Sequence, residues 1–199
     1  MQADIKNKEL LLTHMSTAFP LIGKEVEELC TLFTERKIKR RGYLLQQGDV
    51  CRHFTFVVSG CLKMYTIDQM GKEHNLEFAI ENGWATDLSS FYAEQPGNVY
   101  IEAIEPATIL QISRPNLIYL YTHYPKFNST FRIIIERKYI DLQNRVLQNI
   151  SATAEDRYVN FTSKFPALAS RLPNTQIASY LGITSEFLSK IRKDLAHKR

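Results

Sequence analysis

The sequence predicts an α+β protein in which an antiparallel β-roll, a long helix and a terminal helix-turn-helix follow one another. Three observations carry that expectation. Glycines recur every 11 or 12 residues at Gly48, Gly60, Gly71 and Gly83, with β-rich stretches between them. An apolar stripe of helical period runs from Lys126 to Ile150, and Asn174 to Lys193 reads as two short amphipathic helices about Gly182.

Taken in order, Asp4 to Phe33 has helical spacing, with Leu10, Leu11 and Leu12 in one segment and Val26, Leu29, Leu32 and Phe33 in another. Pro20 and Gly23 part the two. The charged run from Glu35 to Arg41 reads as an exposed edge strand with Ile38 turned inward rather than as a nucleic-acid patch. From Gly42 to Ser113 the period is two, and HFTFVVS, CLKMYTI and HNLEFAI are the clearest strands. Val99–Ile104 and Ala107–Ile112 are expected to close a hairpin about Glu105 and Pro106, giving a jelly roll of about eight strands.

The stripe after Pro125 runs through Phe127, Phe131, Ile134 or Ile135, Leu142, Val146 and Ile150, interrupted by Lys138. Its polar opposite side suits a helix that pairs with its own copy about a two-fold axis, with Phe127, Phe131, Ile135, Leu142 and Val146 as the candidate seam. Thr153 is a candidate N-cap for the next helix, whose first turn holds Glu155 and Asp156, where the helix dipole favours acids. The stretch Ser151 to Ala154 is the expected hinge. Domain boundaries follow at 1–125 for the roll, 126–150 for the dimer helix and 151–199 for a winged or nearly winged terminal domain, although 168–175 leaves little room for a wing.

Within that last domain, Ile177, Ala178, Leu181, Ile183, Leu188 and Ile191 turn inward, and Gly182 supplies the left-handed turn between crossing helices. Thr184 can cap the second helix, with Ile183 stapled onto Leu188. Its outward face then carries Glu186, Ser189, Lys190 and Lys193, the polar and basic surface expected of a helix laid in a major groove.

Charge points the same way. Residues 1–125 hold 12 Lys and Arg against 15 Asp and Glu, a balance of −3, whereas 126–199 hold 13 against 6, a balance of +7. Five of the last ten residues are basic: Lys190, Arg192, Lys193, Lys198 and Arg199. Cation concentrated in the segment that holds the helix-turn-helix is the footprint of a polyphosphate partner.

Other classes fare worse. No apolar run reaches membrane-spanning length, and MQADIKNKELL lacks the layout of a secretory signal, so no membrane partner and a cytoplasmic location are expected. Cys30, Cys51 and Cys61 fit neither a disulfide framework nor a zinc or iron-sulfur spacing. A cupin-like metalloenzyme needs converging histidines, and the strand region offers only His53 and His74. No nucleophile with a base and no phosphate-binding glycine loop is recognisable, so neither an enzyme nor a metal site is expected.

In its order of parts, and above all in the string ASYLGITSEFLSKIRK, the chain resembles the Crp/Fnr transcription regulators, the cyclic-AMP receptor protein and FNR type. The likeness covers nearly the whole length. It implies a cyclic-nucleotide-binding-like sensor roll and a homodimer that reads a palindromic operator in double-stranded DNA, with RNA polymerase as a further candidate partner. It also implies that Thr184, Ser185, Glu186, Ser189 and Lys190 begin the recognition helix. Arg192 and Lys193, with Lys198 and Arg199, would meet phosphates. The effector pocket implied by the resemblance falls at Thr86, Asp87, Leu88 and Asn98. Members that bind a cyclic nucleotide carry Gly-Glu-Leu and then Arg-Ser or Arg-Thr; here the first reads Ala85-Thr86-Asp87-Leu88 and the second Gly97-Asn98. Without a guanidinium for the cyclic phosphate, cyclic AMP is a doubtful effector, an unidentified small molecule is the open choice, and Asp87 reads more simply as the cap of a short helix. The rival expectation is a ligand-binding or protein-interaction module that has lost DNA binding.

Overall fold

The computed structural model describes residues 2–197, without the side chains of 2–5; Lys198 and Arg199 lie outside the described residues. Two compact units divide the chain. One comprises the residues up to Thr66 together with Glu77–Glu136, the other Ile67–Leu76 together with the residues from Arg137 on.

The first unit opens with α1 (Gln2–Ser16) and α2 (Gly23–Leu32), and then enters the roll. Its strands are β1 (Thr34–Ile38), β2 (Tyr43–Leu45), β3 (His53–Ser59), β4 (Leu62–Ile67), β5 (Glu73–Ala79), β6 (Trp84–Ala85), β7 (Tyr100–Ala103) and β8 (Ala107–Ser113). They form two four-stranded sheets, ordered β1-β8-β3-β6 and β2-β7-β4-β5. As the charge pattern suggests, β1 is an edge: Glu35, Arg36 and Lys37 run along it while Ile38 is buried.

β7 and β8 do not form the expected hairpin. β7 pairs with β2 and β4 in one sheet, and β8 with β1 and β3 in the other. The chain crosses between sheets at Ile104–Pro106, where the N–H of Ile104 donates to the carbonyl of Cys61 at 2.9 Å. Crossing brings Ile101 and Ala103 from one sheet and Ala107 and Ile109 from the other into one core between the sheets.

β3 is buried on both faces because it is covered twice. Phe54 and Phe56 project to one side, where His14, Trp84 and Phe131 meet them with ring centroids 5.0–5.4 Å apart. Thr55 projects to the other and accepts from Gln111 Nε2 at 3.2 Å. The Trp84 indole is satisfied too, donating to His14 Nε2 at 3.1 Å. A short α3 (Leu88–Ala93) and an unanticipated α4 (Arg114–His123) complete the unit with the start of α5 (Pro125–Ser151). The hydroxyl of Ser113 caps α4, and Pro115 lies in its first turn, where a missing N–H costs nothing.

α5 serves two purposes along its length. Phe127 and Phe131 are fully buried in the core of their own chain, and Ile135 packs on that core. Phe127 and Phe131 are therefore corrected as seam residues, since a side chain fully spent on its own core has no surface for a partner, whereas Ile135 is only partly buried. Leu142 and Val146, by contrast, are exposed.

The second unit comprises Ile67–Leu76 at the tip of the β4–β5 hairpin, the rest of α5, α6 (Ala154–Lys164), α7 (Pro166–Arg171), α8 (Asn174–Leu181) and α9 (Ser185–His197). Thr153 caps α6 reciprocally: its hydroxyl accepts the N–H of Asp156 at 3.2 Å, and the Asp156 carboxylate accepts the N–H of Thr153 at 3.3 Å. Phe161, Leu168, Leu181, Leu188 and Ile191 are among its buried residues. Among the described residues 154–197 holds helices joined by short turns and no strand, and α7 with the Leu172–Pro173 turn fills the span where a wing would lie.

Candidate nucleic-acid interface and effector cradle

The turn between α8 and α9 is built as its sequence requires. Gly182 takes φ +68°, and its N–H donates to Ser179 O while that of Ile183 donates to Ala178 O at 3.0 Å. These two bonds close the end of α8 in a Schellman arrangement, and φ > 0 without strain is why the residue is glycine. Thr184 then caps α9, its hydroxyl accepting the N–H of Phe187 at 3.2 Å and its carbonyl that of Leu188 at 3.0 Å. Ile177, Ala178 and Leu181 of α8 and Leu188 and Ile191 of α9 are buried, which fixes the rotation of α9 about its axis.

With that rotation set, Thr184, Glu186, Ser189, Lys190, Arg192 and Lys193 are exposed and Ser185 is half-buried. They do not all stand free. The Ser189 hydroxyl donates back to Ser185 O at 2.9 Å, and Arg192 is tied to the Asn174 side chain at the start of α8. Glu186 is held at the helix start by its own backbone N–H and by the hydroxyls of Thr184 and Ser185, which keep its carboxyl below the usual range. It is thus an acceptor at any ordinary pH. Lys190 and Lys193 project as cations beside it. Phe187, absent from the candidates, is 47% exposed in the first turn of α9. The sequence signal for it was an apolar residue off the buried stripe of a polar helix.

The effector candidates are brought together only in part. Thr86 is buried and its hydroxyl accepts the N–H of Thr55 at 3.2 Å. Asp87 caps α3, accepting the N–H of Ser90 at 3.2 Å. Ser90 in turn accepts the N–H of Cys51 at 2.8 Å and donates to Gln95 O at 2.6 Å. Leu88 packs on the core, whereas Asn98 is exposed and does not converge with the others. Gly97 leaves the space that Asp87 fills, because a Cβ there would lie 2.3 Å from Asp87 Oδ2. A carboxylate in that place, with no guanidinium opposite, does not fit a cyclic phosphate. Burial pushes the Cys51 thiol above its usual value, so this cysteine is a core residue rather than a reactive one.

Among the described residues no group of three metal-ligating side chains comes together, and no helix is long and apolar enough to cross a membrane. The three cysteines are free.

Comparison with known proteins agrees with this architecture. Residues 35–124 match the cyclic nucleotide-binding domain. Electron transport regulator A of Shewanella oneidensis is 25% identical over 87% of this chain and 73% of its own length. The fumarate and nitrate reduction regulatory protein of Vibrio cholerae is 25% identical over 90% of this chain and 76% of its own. Among solved structures, FixK2 from Bradyrhizobium japonicum superposes with a TM-score of 0.74 at 16% identity, covering 83% of this chain and 85% of that one. A regulator of the Crp/Fnr family from Eubacterium rectale gives 0.68 at 14% identity, covering 89% and 85%. With a cyclic nucleotide-binding domain ahead of a helix-turn-helix, the chain is similar over most of its length to regulators of the Crp/Fnr type.

Proposed function

We propose that the protein is a sequence-specific DNA-binding transcription regulator that works as a homodimer on a palindromic operator. The observation that carries this reading is the outward face of α9: a capped helix, rotationally fixed by Leu188 and Ile191, that presents Glu186, Ser189, Lys190 and Lys193 to solvent. The relatives are regulators rather than enzymes, which supports a non-catalytic role.

The chemistry follows from the side chains. In a major groove Lys190 would donate to guanine O6 or N7, and Glu186 would accept from a cytosine amino group. Arg192 and Lys193 would meet phosphates, which set register without reading sequence. A palindrome needs two such helices about one helical turn apart, roughly 34 Å. Tyr139, Leu142, Val146 and Ile150 of α5, exposed at intervals of three and four, supply a seam for the dimer that this spacing demands. Control would enter through the roll, from an unidentified small molecule, with cyclic AMP doubtful because Gly97-Asn98 supplies no guanidinium for its phosphate.

Selection of bound sequences from a random DNA pool, followed by mobility shifts across salt concentrations, tests the reading. A two-fold symmetric consensus whose affinity falls steeply with salt is expected. A pool that returns no consensus, with no shift at low salt, overturns it in favour of an interaction module.

A further inference from the structure

The outward face of α8, opposite its buried Ile177, Ala178 and Leu181, is occupied by polar contacts that reading DNA does not explain. Within the second unit the hairpin tip, α5 and α8 meet at one point. Arg145 of α5 donates through its guanidinium to the carbonyls of Leu76, of Asn75 at 2.8 Å and of Tyr180 at 2.9 Å, and lies over the Tyr180 ring at 4.1 Å. Asn75, only 1% exposed, donates its N–H to the Ser179 hydroxyl at 3.1 Å. Its side-chain amide donates to Gln176 O at 3.0 Å and to Gln176 Oε1 at 2.9 Å. The Ser179 hydroxyl in turn donates to Glu73 O at 2.9 Å.

The geometry has a plain cause. β5 is the last strand of its sheet, so alternate residues direct an unpaired N–H and C=O outward. Glu73 and Asn75 stand two apart on that edge, and Ser179 and Arg145 satisfy them where another strand would. A planar guanidinium can reach several carbonyls while stacking on a ring, which an ammonium does not do.

We infer that Asn75, Arg145 and Ser179 are positioning residues: they brace the first helix of the helix-turn-helix against the hairpin and the dimer helix, and so fix where α9 is held for a two-site operator. The inference rests on the DNA-reading function proposed above. Glu186, Ser189 and Lys190 are exposed while the brace is made, so the braced arrangement is the one competent to read. Loosening it leaves each head able to bind but not held in step with its mate, and the cost falls on the bivalent complex alone.

The experiment compares Asn75→Ala, Ser179→Ala and Arg145→Lys with the wild type on two duplexes, one carrying the selected palindrome and one a single half-site. Palindrome affinity is expected to fall about tenfold or more with half-site affinity within about twofold, and Ser179→Thr, which keeps the hydroxyl, is expected to restore it. Equal loss on both duplexes, no loss on either, or a gain on the palindrome each overturns the brace. Hydrogen exchange on the same full-length variants reads the brace without DNA. Amides of residues 67–76 are expected to exchange faster while those of β3 and β8 are unchanged, and unaltered exchange at the hairpin overturns the inference. If the wild type binds no DNA, the proposed function fails, and the positioning role fails with it even where exchange shows the contact to be real.

Discussion

The carboxylate of Asp87 occupies the space beside Gly97 that a Cβ would need, 2.3 Å from its Oδ2, and from there accepts the N–H of Ser90. The candidate effector residue is thus committed to holding α3. Asp87→Ala is expected to destabilise the protein by about 1 kcal/mol through the lost cap, with Asp87→Asn largely retaining stability. Urea denaturation measures both. Equal midpoints for wild type and alanine variant would contradict the capping role, and calorimetric binding of cyclic AMP would contradict the account of the cradle.

α5 yields a contrast within one helix. Phe131 lies in the aromatic core with Phe54, Trp84 and Tyr121 around it, whereas Val146 is 47% exposed. Phe131→Ala is expected to cost about 3–5 kcal/mol of stability as a core truncation. Val146→Asp is expected to leave the fold intact and to shift the molecule toward monomer in light scattering. A folded dimer of unchanged affinity in Val146→Asp would place the two-fold contact elsewhere.

Much of this was legible in the sequence, and the reasons are local. The helix-turn-helix could be read because its requirements fall within about 20 residues: an apolar stripe, a φ > 0 glycine and a cap. β1 and β3 were legible from alternation and charge. The β7–β8 crossover was not, since both orders of pairing share the same alternation and only the packing of Ile101 against the opposite sheet decides it. Phe127 and Phe131 were assigned to the wrong partner for a related reason: a periodic stripe shows that a face is covered, never by what. Arg145 and Asn75 were invisible because their partners, backbone carbonyls and the Gln176 and Ser179 side chains, lie 35 to 104 residues away, and such contacts leave no pattern in composition or spacing.

Glu25 gives a pH dependence with a definite sign. Burial raises its pKa, but the Lys126 ammonium at 2.7 Å and the Ile22 N–H at 2.9 Å outweigh that, leaving it lowered. A group whose folded pKa is depressed contributes stability above its unfolded value, near 4.5, and loses it as pH falls through the folded value. Lys126→Met is therefore expected to destabilise the protein more at pH 7 than at pH 3, with denaturation curves at both values as the check. A cost independent of pH would mean that the lysine acts by its packing or by its bond to Pro20 O alone.

The last expectation separates two kinds of reading on α9. Lys190 projects as a donor, and its replacement by Ala is expected to weaken the selected palindrome by about 1–3 kcal/mol while affecting random duplex less. The Phe187 side chain can make no hydrogen bond, yet its backbone N–H is held by the Thr184 cap, in the turn that the proposed docking would bring to a groove first. An exposed aromatic there is suited to the methyl of a thymine, the one apolar group on the major-groove edge. Replacing each operator thymine in turn by uracil, which removes only that methyl, should weaken wild-type binding at one position per half-site. The same replacement should have no effect on Phe187→Ala. Were wild type and variant equally sensitive at every position, Phe187 would be a bystander and the specificity of α9 would rest on its polar residues alone.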